Sequence, residues 1–363
     1  MHLPRIIARL IVVAVPFALA NPWVAEQSGT TAEFRGLAAI DTSVVWASGT
    51  AGRVARTTDG GLTWHVDTIA AARRLDLRAI AAFDANTAFA MSAGPAEQGQ
   101  AKIFSTADGG ETWTEVYSSD TKGVFLDAIA FWDRAHGIAM SDPVDGKLYL
   151  IRTEDGGKTW THIASDGFPA MLPNEGAFAA SGTCLTVGGP SDVWIATGGA
   201  AKARVLHSTD RGSSWTVAET PVISGDSGAA GIFSVAFSDL KHGVAVGGNY
   251  RRARDTSNNV AVSSDGGATW RLAKGPLPAG YMSAVAYIPG TNGQDLVAVG
   301  LGGTAVSKNG GESWAIVDAT GYNSVAFAAR DAGWTVGPRG RIGKWAADPA
   351  RPLPADHHVW HPR

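Results

Sequence analysis

The chain has a single cysteine, Cys184, among 363 residues, so no intramolecular disulfide can form. Its setting, Thr183-Cys184-Leu185-Thr186-Val187, reads as a strand in which the thiol serves as a small buried hydrophobe. Charge is sparse as well: 17 % of residues are charged and the formal net charge is −3. That balance argues against nucleic acid as a partner, since phosphate binding needs a basic surface. Sustained helical periodicity is missing, and 45 glycines cut the chain into short elements. No dinucleotide fingerprint is present: Gly300-Leu301-Gly302-Gly303 runs into strand-like residues rather than a helix that would hold a pyrophosphate. No cofactor is therefore expected, and an oxidoreductase assignment has no motif behind it.

The apolar run Leu10 to Leu19 is too short to cross a bilayer as a helix. With Arg5 and Arg9 before it and Ala18-Leu19-Ala20 after it, the run has the layout of a secretory leader. Residues 1–20 are thus expected to be removed on export to the periplasm or beyond, leaving no transmembrane span. Residues 21–347 are expected to form the folded body and 348–363 a tail. His357, His358 and His361 lie in that tail and suit a frayed terminus better than a metal site.

What the chain has in quantity is a repeat. Six segments read Ser/Thr-x-Asp-x-Gly-x-Thr/Ser-Trp: Thr57 to Trp64, Thr106 to Trp113, Thr153 to Trp160, Ser208 to Trp215, Ser263 to Trp270 and Ser307 to Trp314. The acidic position falls at Asp59, Asp108, Asp155, Asp210 and Asp265, with Asn309 in the sixth copy, at separations of 49, 47, 55, 55 and 44 residues. A carboxylate in a hairpin turn accepts bonds from nearby backbone N–H groups. The glycine two residues on suits positive φ, and Trp64, Trp113, Trp160, Trp215, Trp270 and Trp314 can lie over the turn and cover apolar surface. Six copies mark a structural fastener rather than a catalytic site.

Three alternating apolar segments precede each box and one follows it, as in Ile232–Phe237, Gly243–Gly247, Asn259–Val262 and then the box. Four short strands per 40–50 residues is the specification of a propeller blade. The expected fold is all-β: a seven-bladed β-propeller of four-stranded antiparallel blades. The seventh blade has no box. Residues 324–327, 333–337 and 341–345 supply three of its strands, and Trp23-Val24-Ala25-Glu26 supplies the fourth, closing the ring and hiding two sheet edges. A closed ring is expected to be monomeric.

The boxes resemble those of the bacterial-neuraminidase-repeat propellers, and the pattern from Trp23 to Trp345 looks like the photosystem II stability/assembly factor-like group. That resemblance implies a protein-binding or assembly role, here for an envelope or membrane complex. The wider superfamily also contains sialidases, which implies the alternative of a glycan-directed hydrolase or lectin. Sialidase chemistry would imply an arginine triad, a Tyr–Glu pair and an acid Asp. The arginine-bearing motif expected ahead of the first box is not recognisable, the one comparable string, Pro4-Arg5-Ile6, lying in the leader.

Departures from the repeat fall in loops on the face opposite the boxes, the usual layout of a binding site on a rigid scaffold. Candidate binding residues are Asp142, Asp145, Asn174, Glu175, Asp226, Tyr250, Arg252, Tyr281 and Arg339. Asp142, Glu175 and Asp226 would be the carboxylates for glycoside cleavage, although turn capping is the ordinary use of such residues. His136 and His242 occupy equivalent turns, which marks a hairpin role rather than a metal pair. No metal is expected. The partner is expected to be a protein or a glycan.

Overall fold

The computed structural model describes residues 21–225 and 227–346. Seven four-stranded antiparallel sheets stand around an axis. Their innermost strands are Phe34–Ala39, Asp76–Ala82, Leu126–Phe131, Leu185–Gly188, Ala230–Phe237, Ala284–Tyr287 and Ser324–Ala329, taken as blades 1 to 7. These strands pack on one another all the way round, the first against the seventh. Among the described residues the only helices are three short 3-10 turns, and none is long and apolar enough to cross a membrane.

The ring closes as the sequence predicts. In blade 7 the outer position is taken by Trp23–Gln27, which pairs antiparallel with Arg341–Trp345 from Trp23↔Trp345 to Gln27↔Arg341. Trp23 is buried, meets Trp345 edge-on at 5.0 Å, and donates from Nε1 to Thr304 Oγ1 in blade 6 at 2.9 Å. The expected leader and tail lie outside the described residues.

Each box behaves as the fastener its composition predicts. In the first, Asp59 accepts from Thr63 N and Thr63 Oγ1 at 2.9 and 2.6 Å, while Thr57 Oγ1 accepts from Gly61 N at 2.9 Å. The bonds from the Thr63 hydroxyl and amide, with one from the Thr57 hydroxyl, pull the Asp59 carboxyl down to about 2, and Asp108 and Asp155 are lowered in the same way. Gly61, Gly110, Gly157, Gly212, Gly267 and Gly311 all have φ between 78° and 91°, a region that penalises any side chain. The tryptophans finish the turn: Trp215, Trp270 and Trp314 donate from Nε1 to the carbonyl of the box glycine at about 3 Å.

A second fastener recurs on the same face, in the turn between the first and second strands. Asp41, Asp84, Asp133 and Asp239 each accept from two backbone N–H groups two and three residues on. His136 and His242 donate from Nδ1 to the carboxylates of Asp133 and Asp239 at 2.8 Å. Their equivalence is therefore structural.

Candidate functional site

The face opposite the boxes carries the loops between second and third strands and the crossings from blade to blade. On this face the inner strands of blades 1, 2, 3 and 5 share an irregularity. Their register slips by one between Phe34 and Gly36, Leu77 and Ala79, Leu126 and Ala128, and Ile232 and Ser234. The skipped residue is Arg35, Arg78, Asp127 and Phe233 in turn. A bulge re-aims the side chain of the extra residue, and all four of these line a cavity of about 440 Å³ at the mouth of the axis. Asn323 stands at the matching place in blade 7 and lines it too.

One long crossing covers the axis. Between blades 3 and 4 the chain from 163 to 184 leaves the rim and runs inward. Gly176 and Gly198 exchange backbone bonds at 3.1 and 2.9 Å. Arg35 Nη1 and Arg78 Nη1 reach the carbonyls of Ala180 and Ala179 at 3.3 and 3.5 Å. Ser181 Oγ donates to Ser283 O in blade 6 at 2.8 Å, and Thr183 Oγ1 donates to Ser234 Oγ in blade 5 at 2.8 Å. Five blades thus grip one strap. Its seat is close: a Cβ on Gly198 would lie 2.5 Å from Gly231 Cα and 2.8 Å from the Phe178 ring.

An internal ion pair anchors the strap. The Glu175 side chain is fully buried and accepts from Leu172 N at 2.7 Å, Thr197 Oγ1 at 2.6 Å and Arg204 Nε at 2.8 Å, with Arg204 Nη2 as a further donor. Both carboxylate oxygens are therefore occupied within the chain.

The mouth is divided by chemistry. Blades 5 and 6 and the strap supply an aromatic wall: Phe178 stacks on Phe233 at 3.8 Å, and Tyr281 meets Phe233 edge-on at 4.7 Å. Tyr250 stands half-open at the rim, its ring 6.2 Å from that of Phe233. Blades 1 and 2 supply arginines, each tied to a carboxylate two residues earlier: Arg35 to Glu33 at 2.6 Å and Arg78 to Asp76 at 2.7 Å. Blade 3 supplies Asp127 and Asp142. Burial pushes Asp142 up to about 6, against one hydrogen bond from Ala177 N at 2.9 Å. Burial first, then the Asp142 charge, pushes Asp127 well above the carboxylate range, with Arg78 pulling the other way. Cys184 is wholly buried and its thiol is pushed up, which leaves it inert.

The structure brings Asp142, Tyr250 and Tyr281 together at the mouth. Asn174 and Glu175 border an adjoining hollow of about 940 Å³ that shares Asp142 and Phe178 with it. Arg339 lies elsewhere, with Arg53 and Arg341 beside the closing strand in a cleft of about 680 Å³. Asp145 is the exposed first residue of a tight turn, at φ 50°. Arg252 is exposed in the 3-10 turn after Asn249, and Asp226 lies outside the described residues. Sequence reasoning missed Arg35, Arg78, Asp127, Phe178 and Phe233. A signal for three of these was present: one charged residue at a fixed place in the apolar inner strand, as in Phe34-Arg35-Gly36-Leu37, Leu77-Arg78-Ala79-Ile80 and Leu126-Asp127-Ala128-Ile129.

Solved structures share this architecture. YCF48 bound to a D1 peptide superposes with a TM-score of 0.64 at 17 % identity, over 93 % of this chain and 100 % of that one. YCF48 from Cyanidioschyzon merolae gives 0.64 at 15 % identity, over 90 % and 99 %. An ancestral GH74 enzyme gives 0.59 at 14 % identity, over 89 % of this chain but 46 % of that enzyme. The shared feature is the seven-bladed propeller. No family model matches the chain, and no curated protein does.

Proposed function

We propose that this propeller is an exported binding module that holds a segment of a protein partner at the axial mouth and assists assembly or stability of an envelope or membrane complex. The observation that carries this reading is the mouth itself. Four bulged residues and an aromatic wall converge on one open hollow beside a strap gripped by five blades. Bulges aim side chains at the cost of ladder regularity, and a rigid rim carrying mixed polar and aromatic groups is suited to recognition. A structural relative bound to a peptide supports a protein segment as the ligand class. The leader-like residues 1–20 support export.

Asp127 and Asp142 are the one feature that favours the glycan-directed alternative. Glycoside cleavage divides the work between an acid and an ionised partner. Here burial pushes both carboxyls upward, Asp127 well above the carboxylate range and Asp142 to about 6.

The test is site-specific photo-crosslinking in envelope extract, alongside a chromogenic-glycoside screen and cell fractionation. Crosslinkers at Tyr250 and Leu301, both exposed at the mouth, are expected to capture the same protein, while one at Leu62, exposed on the box face, captures none of it. Equal capture from Leu62, or glycoside turnover with no adduct at the mouth, overturns the reading.

A further inference from the structure

The charge balance of the mouth says what such a segment carries. Its two arginines are each held by a carboxylate two residues earlier in the chain, Glu33 and Asp76, so neither adds a free positive charge. The carboxyls without an ion-pair contact are on blade 3. Asp127 is 1 % exposed, lines the cavity, and its Oδ2 has no hydrogen-bond partner. Asp142 lines the same cavity and receives one bond, from Ala177 N. Arg35 Nε and Asp76 Oδ1 are also without partners, a donor and an acceptor that offset one another. Four carboxyls against two guanidiniums leave a surplus of acceptors. A buried carboxyl with an orphaned oxygen costs free energy until a donor reaches it.

The opposite wall suits the same ligand. Phe178, Phe233, Tyr250 and Tyr281 present ring surface across the hollow, which takes an aliphatic stem or a planar cation.

We propose that Asp127 and Asp142 form a receptor for a cationic side chain, a lysine ammonium or arginine guanidinium on the partner segment, which enters the mouth between blade 3 and the aromatic wall. This rests on the reading that the mouth holds a protein segment, and it names what that segment must bear. The pair gains its first negative charge as Asp142 ionises, so binding strengthens as pH rises through about 6, and a cation held there draws Asp127 toward its ionised form. The other charged or titratable groups facing the pair are Glu33, Arg35, Asp76, Arg78, Cys184, Tyr250 and Tyr281, and burial pushes the Cys184 thiol and the Tyr281 hydroxyl upward.

The probes are four blocked tripeptides, acetyl-Gly-X-Gly-amide with X as Lys, Arg, Gln or Glu, titrated into the whole protein by ligand-observed NMR at pH 5 and 7.5. The Lys or Arg peptide is expected to bind at least about tenfold tighter than the Gln peptide at pH 7.5, the worth of one charge-assisted hydrogen bond, and the preference shrinks at pH 5. Asp127→Asn removes the preference, and Asp142→Asn does so independently should the first variant fold poorly. Equal or better binding of the Gln or Glu peptide, no binding of either cationic peptide, or a preference that survives both substitutions overturns the inference. Outcomes separate it from the wider reading. Capture at Tyr250 without cation preference sinks only the receptor, whereas cation preference without any protein captured at the mouth sinks the wider reading.

Discussion

Replacing Arg204 by methionine tests how the strap is held. Arg204 is 8 % exposed and donates to a Glu175 side chain with no exposure at all. Arg204→Met keeps most of the stem but leaves that carboxylate with Leu172 N and Thr197 Oγ1 and no counter-charge. Removing one partner of a buried ion pair costs about 3–5 kcal/mol. Unfolding entropy of about 2 cal/mol/K per residue over the propeller then lowers the thermal midpoint by about 4–7 °C. The double variant Glu175→Leu/Arg204→Met takes away the orphaned charge and is expected to regain most of the loss, because apolar replacement of a buried pair is often neutral or better. Chemical denaturation of the four members of this cycle gives the coupling. Hydrogen exchange at Gly176 and Gly198 reports the strap directly, since their amides bond across it. A single variant within about 0.5 kcal/mol of the parent, the range of an ordinary surface change, or a double variant weaker than the single, refutes the anchoring role.

Two further outcomes follow from the ring and its turns. Trp23→Ala removes the buried edge contact with Trp345 and the bond to Thr304, and is expected to cost about 3–5 kcal/mol in denaturant unfolding; a loss below about 1 kcal/mol, the size of a typical mutation, would show that the closing strand is dispensable. Asn309→Asp restores the carboxylate of the sixth box, where Asn309 already accepts from Ser313 N at 3.0 Å. Its folded-state value should be lowered as in the first three boxes, so the gain is present above about pH 4, the ordinary range of Asp, and disappears as pH falls toward about 2. Urea midpoints at pH 7 and pH 2.5 read this, and a midpoint reduced at pH 7 contradicts it.

The architecture was legible because each blade repeats its own local chemistry. A positive-φ glycine, a capping carboxylate and a covering tryptophan solve one turn within eight residues, and no distant contact is needed to see it. The match of Trp23–Gln27 to Arg341–Trp345 was legible because the end strand copies the strand that follows a box. The mouth was harder to read. Polar residues in loops drew attention, yet Glu175 proved to be consumed by Arg204 inside the strap. The residues that line the axis sit in strands that otherwise look like core. What marks Arg35, Arg78, Asp127 and Phe233 is a slip in register, which depends on the neighbouring strand. The strap is also invisible locally, because its shape follows from contacts with five separate blades.

The seam in blade 7 has a consequence for the order of events. Trp23–Gln27 leaves the ribosome before any blade exists, and its place is made only when Arg341–Trp345 emerges. Until then the molecule is an open crescent with an unsatisfied border at each tip, and the leading strand has nowhere to settle. A chain shortened before Arg341 keeps that strand without a berth. In a crowded solution such a strand finds the equivalent border on a neighbouring crescent, so truncation here favours exchanged assemblies over simple loss of one blade.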